Sequence, residues 1–67
     1  MSYGLFMCKV NAMIKKAGGN IRVMFHCDSE NGLFFAECSD GTTIIGNHMS
    51  LKVTVRFGVG HQAMATI

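Results

Sequence analysis

A chain of 67 residues has room for one compact domain, residues 1–67, and no second. It buries only about 60% of the surface its unfolded form exposes, which leaves its stability marginal. Hydrophobic residues at 49% against charged residues at 15% exclude a disordered chain, and a formal charge of +2 is too small to imply a polyanion partner.

Phe6, Val10, Met13, Ile14 and Ala17 recur at the spacing of one helical face, with Lys9, Lys15 and Lys16 off that stripe. Ser2 can cap the start, and Gly18-Gly19-Asn20 ends the pattern, since glycine takes a left-handed conformation without a Cβ penalty. The spacing predicts an amphipathic helix over residues 4–17.

After Asn20 the period becomes two. Ile21, Val23, Phe25 and Cys27 alternate with Arg22, Met24, His26 and Asp28, which predicts a strand with one apolar face. The run from Asp28 to Gly32 is turn chemistry. In the next strand, residues 33–38, Phe34, Ala36 and Cys38 share one face and Leu33, Phe35 and Glu37 the other. Asp40-Gly41 suits a type I′ hairpin turn.

A short strand over 42–45 is broken by Gly46-Asn47-His48. Leu51, Val53, Val55 and Phe57 alternate with Lys52, Thr54 and Arg56, the cleanest strand pattern in the chain. Gly58-Val59-Gly60 turns it into a last strand at 61–67, with Ala63, Ala65 and Ile67 inward. Short links imply antiparallel neighbours, and a helix stripe and a sheet face must cover one another. The fold class is therefore α+β, one N-terminal amphipathic helix packed on an antiparallel meander of four to five strands. The expected core is Phe6, Val10, Met13, Ile14, Ile21, Val23, Phe25, Phe34, Ala36, Ile44, Leu51, Val53, Val55 and Phe57.

The odd count of cysteines, Cys8, Cys27 and Cys38, argues against a closed disulfide framework. Residues 1–10 lack a basic segment followed by a long apolar core, and no apolar run approaches the roughly 20 residues of a membrane span. These features place the chain in the cytoplasm with reduced thiols and no membrane partner. The potential metal ligands Cys8, Cys27, Cys38, His26, His48 and His61 show no tight pair. Adjacent His26 and Cys27 point to opposite faces of a strand, and Cys27 and Cys38 are expected inward, away from any exposed thiolate chemistry. No metal, no other cofactor and no enzymatic activity are expected. Gly58-Val59-Gly60-His61 precedes a strand, so it lacks the helix N-terminus that a phosphate-cradling loop needs.

Charge is divided by segment. Lys9, Lys15, Lys16 and Arg22 occupy residues 1–27 without an acid, and Asp28, Glu30, Glu37 and Asp40 occupy 28–41 without a base. Met24, Leu33 and Phe35 are expected to point outward on adjacent strands and form a contiguous apolar patch. With Glu30 and Asp40 in the flanking turns, they are the candidate protein-binding residues. The expected function is a small non-enzymatic protein-binding module, inhibitor- or adaptor-like, of the kind mobile elements encode. Its partner is an unidentified protein, and the small unstapled core favours a homodimer paired through its final or fourth strands. The alternative is a nucleic-acid-binding sheet face using Arg22, His26, Lys52 and Arg56, with Phe35 and Met24 beside them. Against it stand Glu37 on that face and the lack of a dense basic cluster.

Overall fold

The computed structural model describes residues 1–57 and, as backbone only, a short strand at Met64–Thr66. Helix α1 runs Tyr3–Lys16, one residue earlier at each end than the spacing predicts. Ser2 sits in extended backbone and its hydroxyl accepts the Leu5 N–H at 3.1 Å, satisfying one of the first-turn donors a helix leaves unpaired. At the other end Gly18 and Gly19 have φ of 113° and 76°. The Gly19 N–H donates to the Ile14 carbonyl and the Gly18 N–H to the Lys15 carbonyl, a paired closure of the last turn.

Four strands, β1 (Val23–Asp28), β2 (Leu33–Cys38), β3 (Thr43–Asn47) and β4 (Thr54–Arg56), form an antiparallel meander in sequence order. The segment Met64–Thr66, β5, pairs with β4. The expected turn at Gly58-Val59-Gly60 and the inward positions of Ala63, Ala65 and Ile67 lie outside the described residues.

The helix lies across β2 and β3. Phe6, Val10, Phe34, Ala36, Ile44 and Val53 are buried between the layers, with Tyr3, Met13, Ile14, Val23, Phe25, Cys38 and Val55 packed around them. Phe6 is the hub. Its ring centroid lies 5.5 Å from Phe34 and 6.2 Å, edge-on, from Phe25. Tyr3 closes the cluster at 5.4 Å from Phe34.

The strand expected over 42–45 continues through Gly46 and Asn47. Gly46 does not break it, because the position where a Cβ would stand is filled by the Phe6 ring, 2.6 Å from Cδ1. Beyond it, the Met1 amino group donates to the carbonyls of Asn47, His48 and Ser50 at 3.0–3.3 Å. The Asn47 side chain accepts the Met49 N–H, and the Ser50 hydroxyl accepts the Lys52 N–H. These contacts hold residues 48–52 in a bend, so β4 begins at Thr54 and not at Leu51.

Two core expectations fail. Leu51, in the bend, is 65% exposed, and Phe57, past the end of β4, is 43% exposed. Cys27 is also corrected, being exposed where an inward position was expected. It does lie on the helix side of β1, opposite Phe34, but β1 is an edge strand and α1 packs chiefly on β2 and β3.

The Asp40-Gly41 turn differs from expectation too. Only Gly41 has positive φ, at 92°, whereas a type I′ turn needs it at both central residues. The bonds Gly41 N–H to Cys38 C=O and Cys38 N–H to Thr42 C=O instead mark a three-residue loop with a glycine bulge.

Candidate interaction face of the sheet

With α1 on one side, the two-residue period sends the other side chains of the meander to a second face. The register reads that face in rows. One row is His26, Phe35, Ile45 and Thr54 across β1 to β4; the next is Met24, Glu37, Thr43 and Arg56; a third is Asp28, Leu33 and Asn47. Phe35 is central, its ring 6.0 Å from the His26 imidazole on one side and Ile45 on the other. Directly opposed side chains on one sheet face lie within about 5.5 Å of one another. Phe35 and Ile45 are therefore in contact range, with Met24 and Leu33 on the flanking rows.

The structure thus brings Met24, Leu33 and Phe35 together on one face. Met24 is 72% exposed, and Leu33, Phe35 and Ile45 are half-buried. The N-terminal segment does not cover them: Tyr3 packs on the helix side against Phe34, and Leu5 is exposed on α1. Ile45 is the member that sequence reasoning missed. Its signal was present, since a residue adjacent to inward Ile44 must point outward.

Glu30 and Asp40 are not neighbours of each other. They occupy the β1–β2 and β2–β3 turns, at opposite ends of a six-residue strand, roughly 20 Å apart at ~3.4 Å per residue. The Asp40 carboxylate serves its own turn, accepting the Thr42 hydroxyl at 2.6 Å and the Thr42 N–H at 3.0 Å. Those bonds, the hydroxyl first, hold its pKa below the usual aspartate value. Asp28 does likewise in the first turn, where the Asn31 side-chain amide and then its backbone N–H lower its pKa. The acidic segment is thus built partly of turn-forming carboxylates.

The basic residues are dispersed as well. Arg22 pairs with Ser39 at one end of β1, and Arg56 lies on the same end two strands beyond Glu37. Lys52 is in the bend before β4, towards the opposite end, and His26 lies against Phe35 with its ring tilted. The two arginines therefore share no row, and the row of Arg56 carries the Glu37 carboxylate.

An apolar groove opens beside the C-terminal half of α1, between Met13, Ile14, Ile21, Ile44, Val55 and Phe57. Among the described residues no three His, Cys, Asp or Glu side chains gather in a metal-binding cluster. His48 is engaged elsewhere, its Nδ1 lying 3.2 Å from the Gly32 carbonyl oxygen and its ring filling the space a Cβ at Gly32 would need. No helix among the described residues is long and apolar enough to cross a membrane. Comparison with protein-family models, with curated proteins and with solved structures finds no match to this chain.

Proposed function

We propose that this chain acts by binding another protein, without catalysis, through the sheet face centred on Phe35. The observation that carries the reading is the contiguity of Met24, Leu33, Phe35 and Ile45 on a face whose polar members, His26, Glu37 and Arg56, are exposed around them. An apolar centre within a mixed polar rim is the anatomy of a protein interface. A nucleic-acid face needs an uninterrupted basic track beside its aromatics, and here Arg22 and Arg56 lie three strands apart in different rows, with Glu37 in the row of Arg56.

The partner chemistry that fits is an apolar anchor, aromatic or aliphatic, with a rim carrying both signs of charge. Phe35→Ala is expected to weaken partner capture by more than about 1 kcal/mol. Its cross-strand neighbours are worth only about 0.2–1 kcal/mol each, so the fold should persist by circular dichroism. Affinity capture with parent and variant chains, read by mass spectrometry, checks it. Enrichment of a nucleic acid in place of a protein overturns the reading, as does submicromolar nucleic-acid affinity that falls steeply with salt and is lost in Arg56→Glu.

A further inference from the structure

The outer edge of β1 carries a second, independent surface. The Ser39 N–H donates to the Arg22 carbonyl at 2.9 Å, and the Arg22 N–H is taken by the Ser39 hydroxyl. Bonded pairs alternate along an antiparallel ladder. Met24, His26 and Asp28 therefore direct their backbone groups to Glu37, Phe35 and Leu33 on β2. The β2–β3 bonds agree with this parity. Gly32 and Cys38 bond to His48 and Thr42, which leaves Leu33, Phe35 and Glu37 to face β1. Val23, Phe25 and Cys27 consequently aim their N–H and C=O groups away from the sheet.

Edge strands of this kind are ordinarily blunted by proline, inward charge, bulges or a covering element. The chain has no proline, β1 pairs with β2 without a bulge, and α1 lies over β2 and β3.

We propose that β1 pairs antiparallel with β1 of a second copy of this chain, about a two-fold axis at Phe25. In that register the outward residues meet one another throughout: Val23 opposes Cys27 of the second copy, Phe25 opposes Phe25, and Cys27 opposes Val23. Each of these pairs can exchange two N–H···O bonds. On the other face Met24 then opposes His26, and Arg22 opposes Asp28 at both ends of the strand.

This charge complementarity selects the register. Sliding by two residues in one direction sets Arg22 against His26. Sliding the other way sets Asp28 against Met24 and leaves Arg22 facing Glu30, which lies in the turn outside the strand. Both carboxylate oxygens of Asp28 take one bond each from Asn31 and keep acceptor capacity for a guanidinium. This pairing is proposed in place of the one expected at the final or fourth strands, of which the fourth has both sides taken by β3 and β5. The proposal does not rest on the partner-binding reading.

Sedimentation equilibrium across the micromolar range tests it, with circular dichroism reporting the fold. The unmodified chain should be a dimer. Arg22→Asp places like charges opposite one another at both ends and should raise the dimer Kd about tenfold or more. Arg22→Asp combined with Asp28→Arg restores opposite charges and should recover the Kd to within roughly threefold. Cys27→Pro deletes an outward N–H that β2 does not use, which an edge strand tolerates, and should yield a folded monomer. A monomeric parent chain overturns the proposal. So does a dimer whose Kd is unmoved by both Arg22→Asp and Cys27→Pro, or a folded double reversal that stays as weak as the single one.

Discussion

Replacing Phe6 by Ala is expected to leave most of the chain unfolded at 25 °C. Phe6 has no exposed surface, and its ring meets Phe25, Phe34 and Tyr3 as well as the backbone at Gly46. Truncating a buried phenylalanine costs about 3–5 kcal/mol. A core in a chain this small supplies on the order of 3–5 kcal/mol in total. The two magnitudes are equal, so no reserve remains. Urea titration followed by circular dichroism measures the effect. A variant that keeps a cooperative transition within about 1 kcal/mol of the parent would show that Phe6 is not the hub.

The second large effect concerns the residue facing that ring. Glycine within a strand ordinarily weakens it, so Gly→Ala at such a position tends to stabilise by roughly 0.5–1 kcal/mol. At Gly46 the sign should invert. A Cβ there would stand 2.6 Å from Phe6 Cδ1, closer than side chains pack, with the Met1 Cε 3.3 Å away. Gly46→Ala is expected to destabilise by about 1–3 kcal/mol, the usual range for overfilling a packed core. Made in a Phe6→Leu background, which keeps an apolar side chain at the hub and removes the ring edge, the same change should cost little or become favourable. A coupling of about 1 kcal/mol or more between the two sites would establish that the ring occupies the missing side chain's place. Additive effects would refute it.

Legibility in the sequence followed the range of the interaction. The ends of α1 were readable because Ser2, Gly18 and Gly19 act within one turn of themselves. The faces of β1 and β2 were readable because alternation depends on neighbours alone, and the apolar patch of Met24, Leu33 and Phe35 came from that same rule. Alternation names a face, however, and says nothing of what covers it. A helix about 10 Å across spans roughly two strands spaced 4.8 Å apart. Phe34 and Ile44 therefore lie beneath it, while on β1, one strand further out, Phe25 reaches the Phe6 ring and the shorter Cys27 stays exposed. Leu51 was misplaced for a different reason. Its alternation is intact, but the start of β4 is set by Met1, which bonds to carbonyls 46 to 49 positions away, together with the local turns at Asn47 and Ser50. Phe57 lies past the end of β4. Glu30 and Asp40 are close in sequence, yet the meander sends consecutive turns to opposite ends.

The meander order also bears on the route by which the chain folds. Each strand pairs with its sequence neighbour, so β1 to β4 can zip together through short hairpin closures. Hairpins form in about 1–10 μs, and loop-closure entropy rises with the logarithm of loop length. Docking of the N-terminal segment is different, because Met1 bonds to residues 46 to 49 positions away. Its long closure is rewarded only after β3 exists to receive it. The helix is thus expected to seat late, making substitutions at Phe6 accelerate unfolding far more than they slow refolding. Ile44 and Ala36, buried on the strands themselves, provide the internal comparison for the refolding rate.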